Sequence, residues 1–214
     1  MSRVLIFGGR GKVARLLIPL LIARGDSATA IVRRPDQTDE VADLGADPLA
    51  FDVEHETQAA MARIIAEHDA VVWSAGAGGG DPERTRAVDL DGAMRSMDAA
   101  QDAGLGRYVM VSYFDSSPVH GIDPANPFYA YAEAKAAADA HLRASELDWT
   151  VLGPSRLTLE EPTGLIDVNA DASGSVSRGN VARVIAQSLI EPATIGETIR
   201  FNDGTTPIAE ALRG

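Results

Sequence analysis

The chain has 214 residues, with 31 acidic against 19 basic side chains, a formal charge of -12 and no cysteine. That length suits one domain burying roughly 70 to 75% of its unfolded surface, and the negative charge is repelled by phosphate backbones and anionic lipid, which argues against nucleic acid and membrane partners. The missing cysteines exclude disulfides, thiolate metal sites and a cysteine nucleophile, and fit a reducing, cytoplasmic setting.

The first apolar stretch, "RVLIFGGRGKVARLLIPLL", is interrupted by Arg3, Arg10, Lys12 and Arg15. No run reaches the roughly 18 apolar residues of a spanning helix, so the stretch reads as strand, turn and helix rather than as an anchor or signal. From there, short apolar runs alternate with longer amphipathic ones. The predicted strands are Arg3 to Phe7, Ala28 to Val32, Pro48 to Phe51, Ala70 to Ser74, Arg107 to Ser112, Trp149 to Leu152 and Thr198 to Phe201. Between them helices are predicted over Lys12 to Arg24, Gln37 to Leu44, Gln58 to Glu67, Pro82 to Ala103, Tyr129 to Ser145 and Asn180 to Ile190. Gly25, Gly45 and Gly104 supply helix stops, and Pro19 is expected to bend the first helix by removing one hydrogen bond. Continuous rather than alternating strands mark a parallel sheet buried on both faces. The stretch Ser117 to Phe128 is too rich in proline for a regular element, and residues 154–180 read as a substrate-covering insertion within one domain, 1–214.

After the first strand, Gly8, Gly11 and Ala14 give G-x-x-G-x-x-A at the start of a helix. Gly8 permits a tight turn, Gly11 lets backbone approach a pyrophosphate, and Ala14 lets helix and strand pack closely. The helix amino terminus, with Arg10, Lys12 and Val13 around it, directs N–H groups and partial positive charge at phosphates. Between a strand and a helix this is the turn of a dinucleotide-binding Rossmann fold: α/β, doubly wound, with about seven parallel strands.

Where NAD sites usually carry an acid for the ribose, this chain reads "IVRRP". Arg33 and Arg34 are suited to grip a 2′-phosphate, so NADP is expected in preference to NAD. At the carboxyl ends of the third and fourth strands, Asp52 and Val53 are expected beside the adenine, and Ser74, Ala75 and Gly76 under the ribose.

The catalytic candidate is "YAEAK". Tyr131 and Lys135 share a helix face at a spacing of four, and with two lysines in the chain such a pair arises by chance in only about 4% of arrangements. Lowering a phenol pKa from about 10 to about 7 takes about 4 kcal/mol, which a neighbouring ammonium and an oxidised nicotinamide would help to supply. Ser112, closing the fifth strand, is expected to donate a hydrogen bond to a substrate carbonyl oxygen. The four histidines show no metal-ligand spacing, and no metal is expected. The helix from Pro82 reads as mixed-charge, with Val88, Met94 and Met97 toward the core.

These residues resemble the short-chain dehydrogenase/reductase superfamily, in its atypical, NmrA-like and extended, epimerase/dehydratase-like members. "GGRGKVA" is similar to the glycine motif, "VSYF" to the active-site serine strand and "YAEAKAAAD" to the Tyr-x-x-x-Lys helix, so the resemblance spans nearly the whole chain. It implies a Rossmann core with a small carboxyl-terminal substrate region, in which Lys135 also holds the nicotinamide ribose and "LGPSRLT" covers the nicotinamide with Pro154 and Ser155. Arg156 and Tyr113 would then meet the substrate. Ala14 stands where a third glycine is usual, Ser155 replaces a glycine, and Tyr113 replaces a second serine. The expected activity is NADP-dependent oxidoreduction of a small carbonyl-type substrate with Tyr131 as general acid/base, by a monomer or homodimer. A non-catalytic NADP-binding redox sensor and a nucleotide-sugar epimerase or dehydratase are the alternatives.

Overall fold

The computed structural model describes residues 1–78 and 81–214; Gly79 and Gly80, at the end of the "SAGAGGG" stretch, lie outside the described residues. All seven predicted strands form, and they lie parallel in one sheet. They are β1 (Arg3–Phe7), β2 (Ser27–Val32), β3 (Asp47–Ala50), β4 (Ala70–Trp73), β5 (Arg107–Val111), β6 (Asp148–Pro154) and β10 (Glu197–Asp203). Two short antiparallel strands, β8 (Leu165–Asp167) and β11 (Thr206–Pro207), extend it to nine in the order β11-β8-β10-β6-β5-β4-β1-β2-β3. The outermost strands, β3 and β11, each contain a proline, Pro48 and Pro207. Proline has no N–H to give a ladder and is confined to such edges.

The helices connecting these strands are α1 (Ala14–Arg24), α2 (Asp39–Ala42), α3 (Gln58–Ile65), α4 (Pro82–Thr85), α5 (Ala93–Asp102), α6 (Tyr129–Arg143) and α7 (Arg178–Ser188), with α8 (Ile208–Ala211) after β11. A π-helical turn, Arg86–Gly92, joins α4 to α5. Two strands, β7 (Arg156–Thr158) and β9 (Ser175–Ser177), for which no strand was predicted, pair with each other inside the 154–180 segment.

Strand side chains alternate between two cores. Val4, Ile6, Val72 and Val109 pack with Leu17, Ile18, Val181 and Ile185 of α1 and α7; Leu5, Phe7, Trp73 and Met110 pack with Met61, Met97 and Leu142 of α3, α5 and α6. The alternation is the period-2 consequence of the pleat, and because helices cover both faces neither set needs to be polar. Helix α1 continues through Pro19, with Ile18 and Leu21 fully buried on either side of it. No helix among the described residues is long and apolar enough to cross a membrane.

Candidate active site and nucleotide cleft

The sheet order reverses between β1 and β4: from β1 the chain winds outward through β2 and β3, then returns to place β4 on the other side. Such a switch point leaves a crevice at the carboxyl ends of the strands, where ligands bind in open α/β sheets. Two adjoining cavities occupy it, one of about 510 Å³ and one of about 600 Å³, both bordered by Gly11, Ser74, Ala75 and Gly76.

The glycine turn forms their common floor. Gly8 has φ +83, and a Cβ there would stand 2.6 Å from the Ala75 Cα; one on Gly9 would stand 2.7 Å from the Ala30 Cβ. Gly8 and Gly9 are therefore pressed against β4 and β2 with no room for a Cβ. The Gly9 and Gly11 N–H groups donate to Ile31 O and Gly8 O, each at 2.8 Å. Within the first turn the Arg15 and Leu17 N–H groups reach back to Gly11 O and Val13 O, which leaves the N–H groups of Lys12 and Val13 as helix-end donors directed at the cleft. This shape and donor set fit a pyrophosphate.

The smaller cavity receives the residues expected around the adenosine half. Gly8, Arg10, Arg33, Arg34, Asp52 and Val53 all line it. Each arginine has a carboxylate partner: Arg10 pairs with Glu40 at 2.8 Å, Arg33 with Glu54 at 3.5 Å and Arg34 with Asp36 at 3.0 Å. Glu54 also accepts from Arg84 at 3.0 Å. The arginine side chains are 42 to 61% exposed, and such surface pairs are weak enough to re-form around a stronger anion.

The larger cavity brings Ser112 and Tyr131 together with Lys12 and Val13 on one wall system. Phe128 and Tyr113 pack on the Tyr131 ring, with centroids 5.1 and 5.8 Å away. Leu157 and Arg178, from β7 and the start of α7, complete the lining, so the 154–180 segment does contribute to this wall. Burial pushes the Tyr131 phenol far above its ordinary value, and Asp89, Asp139 and Tyr113 push it the same way.

Several of the expected site residues make other contacts in this structure than the ones read from the sequence. Lys135 was expected to lower the Tyr131 pKa, but it lies behind the cleft wall, 1% exposed, and donates to Val111 O at 2.9 Å and Met110 Sδ at 3.1 Å. Burial pushes its ammonium down, opposed by Asp139 and Asp89. Ser112 was expected to donate to a substrate; its hydroxyl instead donates to Asp139 Oδ2 at 2.5 Å. Pro154 and Ser155, expected over the nicotinamide, do not line either cavity. Ser155 is buried, its hydroxyl bonded to Asn202, while Arg156 is exposed on β7. Tyr113 borders a neighbouring surface cavity with Phe114 and Arg200, and its phenol is pushed up to about 12, mainly by burial.

Two carboxylates escaped the sequence reading. Asp89, in the π-helical turn, is 1% exposed and lines the larger cavity. Its Oδ2 accepts from the Ala77 N–H at 2.9 Å, tying the chain after β4 to the helix, and burial pushes its carboxyl up. π turns concentrate at functional sites because the extra residue per turn redirects side chains. Asp139 lies fully buried on α6, one further step of four beyond Tyr131 and Lys135.

Residues 8–192 match the family described as NAD(P)H-binding. The chain belongs to that NAD(P)H-binding family. It is 36% identical over 224 residues to the Saccharomyces cerevisiae UPF0659 protein YMR090W, covering 99% of this chain and 97% of the relative. It is 33% identical to the Bacillus subtilis protein named uncharacterized sugar epimerase YhfK, with 99% of each covered. Among solved structures, a putative NAD-dependent epimerase/dehydratase from Bacillus halodurans superposes with a TM-score of 0.91 at 33% identity, again over 99% of both chains. The fold is thus that of NAD(P)-binding oxidoreductases and epimerase/dehydratases, as the resemblance implied.

Proposed function

We propose that this NAD(P)H-binding protein is an NADPH-dependent reductase of a carbonyl-type substrate, with Tyr131 as general acid. One observation carries the reading: Tyr131 faces the cleft beside the glycine turn in surroundings that keep its phenol protonated. A reductase needs a proton donor where a hydride from bound NADPH arrives at carbon, since oxygen then accumulates negative charge. A half-buried neutral phenol supplies that proton. Lys12 and Val13 hold the pyrophosphate, and Lys135 fixes α6 to β5 through Val111 O. Sustained NADPH oxidation with a panel of ketone, quinone, flavin and sugar-nucleotide acceptors tests the reading; absence of turnover across the panel would sink it.

The preference for NADPH rests on Arg10, Arg33 and Arg34 around the smaller cavity. Calorimetric titration should give an affinity for NADPH about tenfold or more above that for NADH. Arg33→Asp, which adds an acid beside Glu54, should lose most of that difference while retaining NADH binding. Equal affinities in the unaltered protein would remove the 2′-phosphate assignment.

The raised phenol has a pH consequence of defined sign. A general acid works in its protonated form, and raising its pKa extends that form to higher pH. The rate of reduction should therefore show no loss from Tyr131 ionisation up to about pH 9, above which an ordinary phenol begins to titrate. A limb near neutrality that disappears in Tyr131→Phe would show the phenol to be lowered instead.

A further inference from the structure

We propose that Asp139 orients the Ser112 hydroxyl so that Ser112 meets a bound substrate as a hydrogen-bond acceptor, and that the cleft takes carbonyl compounds carrying an O–H or N–H donor beside the reacting carbon. This rests on the reading of the larger cavity as a reductase substrate site.

Tyr131, Lys135 and Asp139 follow one another in steps of four on α6 and so share a helix face. Asp139 is fully buried, and its Oδ2 accepts from two hydroxyls, Ser112 Oγ and Ser116 Oγ, each at 2.5 Å. A carboxylate has no hydrogen to give, and a serine hydroxyl has one. The Ser112 hydrogen is therefore committed to Asp139. Its N–H is committed as well, to Leu152 O at 2.7 Å. What Ser112 turns toward the cleft is oxygen lone-pair density, at a wall it shares with Tyr131.

The carboxylate is placed for this task and poorly placed for packing alone. Its Oδ1 is buried with no hydrogen-bond partner among the described residues, an arrangement that native interiors rarely keep without a functional reason. Lys135, one helical step before it on α6, is electrostatically attracted to it and to Asp89. Tyr131 then supplies the hydrogen bond to the substrate oxygen, while Ser112 selects for a donor next to it. An α-hydroxy ketone or a carbonyl flanked by an N–H satisfies both; a simple ketone that covers the Ser112 oxygen leaves it unpaired, which costs binding.

The test has two arms, neither requiring turnover. Neutron diffraction from deuterated crystals of the NADP complex should place the Ser112 deuterium toward Asp139; a deuterium directed into the cleft would overturn the proposal. In the second arm, calorimetry on the protein saturated with NADP⁺ compares 2-hydroxyacetophenone with 2-methoxyacetophenone, in which a methyl group replaces the donor hydrogen. The unaltered protein should favour the hydroxy ketone by about tenfold, and Ser112→Ala should bring the ratio near one. Asp139→Asn, whose amide can donate to Ser112 and free its hydrogen, should do the same, while Ser116→Ala should keep the preference. A merely structural Asp139 would lower the thermal midpoint of the Asn variant and leave the ratio unchanged. A ratio near one in the unaltered protein also overturns the proposal. If neither ketone binds, the neutron map alone decides it. Failure of NADPH to reduce any acceptor would count against the reductase reading and leave the map and the ratio to be judged separately.

Discussion

Replacing Tyr131 by phenylalanine is expected to lower kcat/KM for the proposed NADPH-dependent reduction by about 10²- to 10⁴-fold, the usual range for loss of a positioned general acid. The ring and its contacts with Tyr113 and Phe128 remain, so the expected loss is one of proton donation rather than of packing. The fall should appear in kcat, because the proton moves only as the oxygen acquires charge. NADPH affinity should stay within about twofold, since the glycine turn and Arg33 lie on other elements. Parallel measurement of cofactor binding and single-turnover reduction checks this. Full activity in the variant would transfer the acid role elsewhere, with Asp89 the next group to examine, as it faces the same cavity and burial raises its carboxyl.

The second large effect lies at Gly8. Substitution by alanine meets two penalties at once: a φ of +83 that L side chains rarely adopt, and a Cβ 2.6 Å from the Ala75 backbone. Neither neighbour can yield by rotating a side chain, because the contact is with the Cα, N and C atoms of the chain leaving β4. The turn must open, at a cost of about 2 to 4 kcal/mol from strain and displacement. NADPH affinity is expected to fall by about 100-fold or more, with a lower thermal midpoint, because the N–H groups of Lys12 and Val13 no longer converge on a pyrophosphate. Gly25→Ala is the matched control: its φ is +89, but a Cβ there meets nothing within 4 Å. That variant should lose some stability and keep its cofactor affinity.

The main architecture was readable because strands buried on both faces must be continuous apolar runs, and runs such as "RVLIF" and "AVVW" admit no other environment. Glycine stops and the amphipathic period then set the helices between them. Strands β7, β8, β9 and β11 were not readable. Their sequences, such as "SVS" and "RLT", are short and half polar, and their pairing partners lie far along the chain, so nothing local distinguishes them from loop. The site divides in the same way. Gly8, Gly11, Ser112 and Tyr131 sit in local motifs whose backbone geometry follows from spacing. The burial of Asp89 and Asp139 depends on how α6 and the π-helical turn close over β4 and β5, and a charged letter in a helix ordinarily signals solvent. The one available signal was the step from Lys135 to Asp139, which continues the Tyr131 spacing. The placement of Pro154 and Ser155 over the nicotinamide came from resemblance, and the residues that reach the cleft from that segment are Leu157 and Arg178.

The prolines at the two sheet edges bear on how the protein behaves when crowded. An open nine-stranded sheet has two borders at which another chain could add by main-chain pairing, the common beginning of aggregation and of sheet-to-sheet dimers. Pro48 removes a donor from one border, beside the charge of Asp47, and the other border is the two-residue strand Thr206–Pro207. Neither offers a ladder long enough to template a neighbour. Self-association of this chain is thereby steered away from strand addition and left to its helical faces, where the net charge of -12 keeps copies apart unless a surface is specifically complementary.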